Sequence, residues 1–182
     1  MKNCRIIKAT RKNYQVLLPD GQIREAILRG KAIKKDTIKV GDWVDADLLS
    51  EESGKAAITH IYPRSTALIR GRGYKTHTIV SNVDQLLILI SAKNPDFRNT
   101  TLDRYLLIAE RNKIPAIICL NKVDLVQAAA FDEIKEYYNK IDYKFIYTSV
   151  KTETGVSELR ESLFNKTTAL IGHSGVGKSS LI

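Results

Sequence analysis

A glycine-rich run near the end of the 182-residue sequence has the residue types and spacing that hold a nucleotide phosphate. It reads G-x-x-x-x-G-K-S from Gly172 to Ser179 and follows the apolar stretch TTALI, which predicts a strand. The glycines allow successive backbone N–H groups to curl around a phosphate. Lys178 would bring a positive charge to the β- and γ-phosphates, and the hydroxyl of Ser179 would ligate Mg²⁺. The predicted phosphate site comprises Gly172, His173, Ser174, Gly175, Val176, Gly177, Lys178, Ser179 and Ser180, with Ser179 as the metal ligand.

Two further motifs predict which base this site accepts. The motif NKVD follows the apolar run AIICL and ends at Asp124. A carboxylate there can accept two hydrogen bonds from guanine, whereas adenine lacks this donor pair and would leave the carboxylate unpaired. The motif TSVK ends the next predicted strand, where backbone N–H groups could reach the guanine carbonyl. We therefore predict that guanine is recognised by Asn121, Lys122, Val123, Asp124, Ser149 and Val150.

Alternating strands and helices position these motifs in the second half of the sequence. DQLLILISA is a continuous apolar run, which is typical of a strand covered on both faces of a parallel sheet. Strand–loop–helix units continue from there to the glycine-rich run. The pattern predicts a parallel α/β sheet with right-handed crossovers, whose ligand loops lie at the carboxyl ends of the strands. All three motifs therefore belong to one edge of one sheet.

The first third of the sequence has a different pattern, with short alternating runs broken by glycine-containing turns. Five such runs in about 60 residues predict a small antiparallel barrel of the OB type, although an SH3-like barrel fits nearly as well. Trp43 is interpreted as a core residue rather than a platform for base stacking. We place the barrel at residues 1–63, a basic linker at 64–80 and an α/β nucleotide-binding domain at 81–182.

Charge and composition narrow the class of protein. The formal net charge of +9 is uneven, since residues 1–65 carry 13 basic and 8 acidic side chains and residues 120–182 carry 8 of each. This asymmetry predicts a polyanionic partner for the front of the chain. The apolar runs are too short to cross a bilayer, and the first residues lack a signal-peptide core, so we expect a cytoplasmic protein without membrane segments. The two cysteines are interpreted as buried, reduced thiols.

The order of the motifs is unusual, because NKVD precedes the phosphate loop instead of following it as in ordinary small GTPases. Loops that share one sheet edge allow such a permutation without disturbing the site. With GDWV, the Arg-Gly connector, SNVDQLLILIS, LDRYLLIAE, LNKVDL, TSVKTETG and GHSGVGKSS in this order, the whole chain resembles the RsgA family of circularly permuted bacterial GTPases.

The resemblance implies an N-terminal OB domain, a permuted P-loop GTPase domain and a C-terminal zinc-binding domain. Members hydrolyse GTP when bound to the small ribosomal subunit and act late in its maturation. The chain is thus expected to be a monomeric, cytoplasmic GTPase that uses GTP or GDP with Mg²⁺. By the same likeness, the barrel and the basic linker face ribosomal RNA, in agreement with the charge distribution.

The sequence departs from the family pattern at Ile182, four residues into the expected helix after the phosphate loop. The switch threonine, the D-x-x-G segment and the zinc ligands of the family lie outside it, and no residue is assigned as the catalytic group. We interpret the chain as an N-terminal fragment that binds guanine nucleotide weakly and does not reach the stimulated rate of hydrolysis. The alternative function is that of an OB-type RNA-binding module whose truncated nucleotide domain is inactive; an ATP-dependent kinase is disfavoured by NKVD.

Overall fold

The structure is a computed structural model that describes residues 2–10, 13–29, 38–49, 54–71 and 76–182. The chain divides into two compact units, Met1–Asn82 and Val83–Ile182. None of the helices in the described ranges combines the length and the apolar character that crossing a membrane requires.

The N-terminal unit contains a closed five-stranded barrel. The order around it is β1-β2-β3-β5-β4, in which β3 and β5 run parallel and all other neighbours run antiparallel. This arrangement confirms the predicted OB-type barrel. Its strands are β1 (Cys4–Ala9), β2 (Tyr14–Leu17), β3 (Ile23–Leu28), β4 (Trp43–Leu48) and β5 (Lys55–Ile61). Its buried core consists of Cys4, Ile6, Tyr14, Val16, Leu18, Ala26, Ile38, Val44, Ala46, Ala56 and Ile58.

Trp43 lies on the outside of this barrel, so the prediction of a core tryptophan was wrong. In the ladder between β1 and β4, Cys4 pairs with Val44 and Arg5 pairs with Trp43. Successive side chains of a strand face opposite sides, and the complete burial of Cys4 and Val44 therefore turns Trp43 outward. Its exposed fraction is 37%. The sequence alternation predicts a strand here, but it does not say which of the two alternating sets faces inward.

The segment 64–80, which we expected to be a linker, contains a β-hairpin that belongs to the N-terminal unit. Its strands are β6 (Ala67–Arg70) and β7 (His77–Ser81), while residues 72–75 of the predicted basic cluster lie outside the described residues. The Ser81 amide donates to the Val40 carbonyl at 2.9 Å. Next to it, Gly41 has a φ of +91°, and a Cβ there would lie 2.0 Å from the Ser81 carbonyl oxygen. The hairpin is therefore packed tightly against the loop before β4.

A buried carboxylate also fastens the hairpin to the barrel. Asp42 is fully buried, and it accepts two hydrogen bonds from the Arg64 guanidinium at 2.7 and 2.8 Å. It also accepts from the Ser81 hydroxyl at 2.5 Å and from the Lys39 amide at 2.8 Å. Burial alone would raise the pKa of Asp42, but these hydrogen bonds and the charge of Arg64 outweigh it and lower the pKa. Asp42 is therefore ionised in the folded unit at neutral pH.

The C-terminal unit is a four-stranded parallel sheet with the strand order β10-β9-β8-β11. This confirms the parallel α/β architecture predicted from the strand and helix pattern. Its strands are β8 (Gln85–Ser91), β9 (Ala116–Asn121), β10 (Lys144–Tyr147) and β11 (Thr168–Ile171). Its helices are α1 (Asn99–Asn112), α2 (Asp132–Lys140), α3 (Val156–Leu163) and α4 (Lys178–Leu181).

Apolar side chains cover both faces of this sheet. Every residue of β8 is buried, as its continuous apolar run predicted. On one face, Ile88 belongs to a cluster with Leu102 of α1 and Tyr138 of α2. On the other face, Leu87 belongs to a cluster with Leu159 of α3. The helices thus enclose the sheet, and the loops that leave the carboxyl ends of the strands come together at one edge.

Candidate functional site at the carboxyl edge of the sheet

Asn121, the last residue of β9, joins the base motif directly to the phosphate loop. Its Nδ2 donates to the Val176 carbonyl at 3.0 Å, and its Oδ1 accepts from the Thr148 hydroxyl at 3.1 Å. At Gly177 the φ is +100°, and a Cβ would lie 2.3 Å from Asn121 Nδ2. Only glycine fits this close approach without strain. The two motifs that are about 50 residues apart in the sequence therefore form one packed unit.

The buried thiol of Cys119 lies next to the hydrogen bond between Thr148 and Asn121. Cys119 Sγ lies 3.1 Å from the Thr148 hydroxyl oxygen, and both residues are fully buried. The Thr148 hydroxyl gives its single proton to Asn121, so the thiol is the donor in this pair. Burial raises the pKa of Cys119 to about 12. Sequence reasoning left Cys119 and Thr148 out of the site, although the position of Thr148 at the end of a predicted strand was an available signal.

Lys122 and Val123 shape the loop after Asn121. The ammonium of Lys122 donates to the Gly175 carbonyl at 2.6 Å and to the Asn94 carbonyl. Lys122 thereby ties the phosphate loop to the loop that leads from β8 to α1. Val123 is buried, and its amide donates to the Thr148 carbonyl at 3.2 Å. Both residues thus have structural contacts that hold the loops at the predicted site.

Asp124 presents its carboxylate at the exposed side of the same loop. The Ser149 hydroxyl donates to Asp124 Oδ1 at 2.7 Å, which fixes the orientation of the carboxylate. Within the described residues, Asp124 Oδ2 has no donor. The Ser149 amide donates to the Thr154 carbonyl at 3.0 Å, so Ser149 contributes its hydroxyl here and not, as we expected, its backbone N–H. The amide of Val150 has no acceptor in the described part of the chain.

The phosphate loop runs from Gly172 to Gly177 between β11 and α4. The ammonium of Lys178 lies over this loop and donates to the carbonyls of Gly172 at 3.0 Å and His173 at 2.6 Å. Ser179 and Ser180 follow in α4, and both are exposed. The Ser179 hydroxyl is a hard oxygen ligand suited to Mg²⁺. Among the described residues no group of three or more His, Cys, Asp or Glu side chains could hold a metal ion.

A cavity of about 350 Å³ adjoins the phosphate loop on the side of α1. The ring of His173 lies 5.9 Å from that of Tyr105, measured between centroids. Burial raises the pKa of Tyr105 and outweighs the effect of the nearby Arg104 charge. Sequence reasoning named His173 but not its neighbour Tyr105, because Tyr105 lies within a helix whose pattern indicates only packing. The cavity is lined by residues that include Leu89, Phe97, Thr101, Tyr105, His173 and Ser174.

Curated relatives are similar in sequence over most of the chain. The model of the RsgA GTPase family matches residues 61–182. A protein of Cytophaga hutchinsonii named "Small ribosomal subunit biogenesis GTPase RsgA" is 38% identical over 97% of this chain and 61% of its own length. A protein of the same name from Alkaliphilus metalliredigens is 41% identical over 82% of this chain and 49% of its own length. The chain thus spans about half to three fifths of the length of these relatives.

Solved structures show the same architecture. YjeQ from Thermotoga maritima has a TM-score of 0.82 and 30% identity, covering 99% of this chain and 63% of that one. YloQ, a circularly permuted GTPase, has a TM-score of 0.75 and 32% identity, covering 99% of this chain and 62% of that one. Since the family model also matches more than half of the sequence, the chain belongs to the RsgA GTPase family.

Proposed function

We propose that the chain is the barrel and nucleotide-binding part of a cytoplasmic ribosome-biogenesis GTPase. The whole GTPase of which this chain is a part binds GTP or GDP with Mg²⁺ and hydrolyses GTP in association with the small ribosomal subunit. The observation that carries the nucleotide site is the contact of Asn121 with both Thr148 and the Val176 carbonyl, because it unites the base motif and the phosphate loop. The curated relatives named as small ribosomal subunit biogenesis GTPases support the wider role.

Guanine specificity is assigned to Asp124. Its Oδ1 is held by the Ser149 hydroxyl, and its carboxylate lies at the exposed side of the loop. The carboxylate accepts hydrogen bonds from the ring N–H and the exocyclic amine of guanine. The N–H of Val150, which has no acceptor among the described residues, is available for the guanine carbonyl. Adenine offers neither donor in this arrangement, so it would leave a charged acceptor without a partner.

Phosphate binding is assigned to the loop from Gly172 to Gly177 together with Lys178. The ammonium of Lys178 leaves the carbonyls of Gly172 and His173 and binds the phosphates as a point charge. The hydroxyl of Ser179 is the ligand that this chain would offer to Mg²⁺. A bound Mg²⁺ neutralises phosphate charge during phosphoryl transfer.

The N-terminal unit is assigned to ribosomal RNA. Residues 1–65 carry an excess of five positive charges, with 13 basic and 8 acidic side chains. An OB-type barrel with such an excess suits a polyanion, and phosphate contacts would make its affinity fall as salt rises. In this proposal the C-terminal unit binds GTP or GDP, and the barrel directs the protein to ribosomal RNA.

The nucleotide assignment is tested by Asp124→Asn, with Asp142→Asn as the matched control. Both changes remove one carboxylate from an exposed residue of the C-terminal unit, but Asp142 lies in the turn after α2. Binding of GDP, ADP and xanthosine diphosphate is measured by isothermal titration calorimetry at constant Mg²⁺. We expect Asp124→Asn to weaken GDP binding about 10- to 100-fold, since each hydrogen bond to a charged group contributes about 1.5–3 kcal/mol.

The same substitution is expected to improve the binding of xanthosine diphosphate, because the asparagine amide can donate to the second carbonyl of xanthine. The Asp142→Asn chain is expected to keep the affinities of the wild type. If Asp124→Asn retained its preference for GDP, the assignment of Asp124 would be wrong. If the wild-type chain bound ADP as tightly as GDP, guanine specificity itself would be excluded.

A further inference from the structure

Three side chains form a row across the outside of the barrel. Arg5 of β1 pairs with Trp43 of β4, and the amide of Tyr62, which follows β5, donates to the Trp43 carbonyl at 2.9 Å. The three residues thus occupy neighbouring positions on β1, on β4 and directly after β5. We call these residues, Arg5, Trp43 and Tyr62, the Arg–Trp–Tyr row.

The guanidinium of Arg5 is held in place on the indole of Trp43. Its central carbon lies 5.0 Å from the ring centroid, and one of its nitrogens donates to the Asn82 carbonyl at 2.8 Å. A stacked, tethered guanidinium loses little further conformational freedom when a flat ligand binds to it. With 37% of its surface exposed, Trp43 also remains accessible to such a ligand.

The remaining aromatic rings of the barrel gather beside this pair. Residues 1–63 contain four aromatic or imidazole rings, and one of them, Tyr14, is buried in the core. The Tyr62 phenol donates to the two oxygens of Asp45 at 3.0 and 3.1 Å, and its ring contacts that of His60 edge to face, with centroids 4.9 Å apart. The other three rings lie on β4, on β5 and directly after β5, and none of them lies on β2 or β3.

A cleft with basic side chains adjoins the Tyr62 end of the row. It has a volume of about 530 Å³, and its lining includes Lys39, Tyr62, Arg64 and His77. The charge of Arg64 is taken up by Asp42, whereas the Lys39 side chain has no acidic partner within the described residues. Stacking surfaces that adjoin positive charge are the combination that single-stranded nucleic acids require.

We propose that the Arg–Trp–Tyr row and the adjoining cleft receive an unpaired RNA base together with its neighbouring phosphate. The base stacks on the planar groups of the row, and the phosphate lies against the basic side of the cleft near Lys39. This inference rests on the proposed function, which brings the barrel to ribosomal RNA. It adds the surface that makes the contact and the single-stranded form of the RNA that this surface accepts.

Trp43 itself provides the test, because it is the single tryptophan of the sequence. The full chain is titrated with 12-nucleotide oligoadenylate and, separately, with an RNA duplex of equal length. We expect the single strand to quench the fluorescence of Trp43 and the duplex to leave it unchanged. For Trp43→Leu we expect an affinity for labelled oligoadenylate, measured by anisotropy, about 5- to 100-fold weaker, since stacking on an aromatic ring contributes strongly per base.

A matched pair of charge variants distinguishes base stacking at the row from non-specific electrostatic attraction between the barrel and RNA. Arg5→Gln and Arg29→Gln each remove one positive charge from the barrel unit, but Arg29 is exposed at the end of β3, away from the row. We expect Arg5→Gln to lose most of the fluorescence quenching and Arg29→Gln to retain it. Circular dichroism and GDP affinity serve as folding controls, and both are expected to match the wild type in all variants.

Co-sedimentation with purified small ribosomal subunits distinguishes this inference from the proposed function. We expect Trp43→Leu to co-sediment less than the wild type and Arg29→Gln to co-sediment equally. If wild type and Trp43→Leu co-sedimented alike and oligoadenylate left the fluorescence unchanged, the row would be excluded while the ribosomal role would stand. If the wild type bound neither subunits nor oligoadenylate, both the ribosomal role and the row would be overturned.

Discussion

Replacing Asp42 with asparagine is expected to destabilise the N-terminal unit strongly. Both carboxylate oxygens of Asp42 accept two hydrogen bonds, Oδ1 from Arg64 and Ser81 and Oδ2 from Arg64 and the Lys39 amide. An asparagine of the same shape would place an NH₂ group at one of these positions. In either orientation that group would face two donors and would leave the Arg64 charge without its counter-ion.

The magnitude follows from the burial of the two partners. Removing one member of a buried ion pair costs about 3–5 kcal/mol. Asp42 is completely buried, but the Arg64 side chain is 28% exposed and can be solvated in part. We therefore expect the lower end, a loss of about 3 kcal/mol in the free energy of unfolding. Because the folded pKa of Asp42 is lowered, the difference between wild type and variant is full above about pH 4 and diminishes as the pH falls further.

Urea unfolding followed by the fluorescence of Trp43 measures this loss of unfolding free energy. The signal reports on the N-terminal unit, because Trp43 lies on β4 next to Asp42. With a denaturant slope of about 1 kcal/mol/M for a unit of this size, the midpoint should fall by about 3 M. Asp45→Asn is the matched control. Its carboxylate is bonded to the Tyr62 phenol near the surface, and we expect a cost below about 1 kcal/mol. Midpoints for the two variants within about 0.5 M of each other would refute the role assigned to Asp42.

Two further predictions concern buried groups, namely the Thr148 hydroxyl beside the candidate nucleotide site and the thiols of Cys4 and Cys119. Thr148→Val is expected to weaken GDP binding about 3- to 30-fold, since it leaves Asn121 Oδ1 without a donor; an unchanged affinity by calorimetry would contradict this. Cys4 and Cys119 are expected to resist Ellman's reagent at pH 8 in the folded chain, because both are fully buried and the pKa of each thiol is raised. Two thiols per chain should react after unfolding in urea, and rapid reaction of either thiol before unfolding would show the packing to be wrong.

The motifs of the candidate nucleotide site could be found in the sequence because each is a contiguous run with its own chemistry. Their meeting at one edge also followed from the strand pattern, since parallel strands bring their carboxyl ends together. The contributions of Thr148 and Cys119 were not predictable in this way. The Thr148 hydroxyl contacts both Cys119 and Asn121 of β9, and single-sequence periodicity contains no information on such pairs.

The differences in the N-terminal unit have two physical causes. Trp43 was expected inside because it is large and apolar, but the strand register pairs Val44 with Cys4 in the core and leaves Trp43 outside. Residues 64–80 were expected to be a linker because of their arginine and glycine content. Their alternating apolar side chains instead form a hairpin, and Leu68 is buried at 3% exposure. The linker interpretation gave more weight to the arginine and glycine content of this segment than to the alternation of its apolar residues.

The strand order of the C-terminal unit has a consequence for synthesis of the chain. Strand β8 pairs with β9 on one side and with β11 on the other, and β11 begins roughly 80 residues after β8 has been made. At a synthesis rate of about 5–20 residues per second, one edge of β8 stays without its partner strand for about 4–16 s. During that interval an apolar strand has unpaired backbone groups, which favours association with other chains. The predicted phosphate loop directly follows β11, so it is synthesised together with the strand that pairs with this edge of β8 and protects it from aggregation.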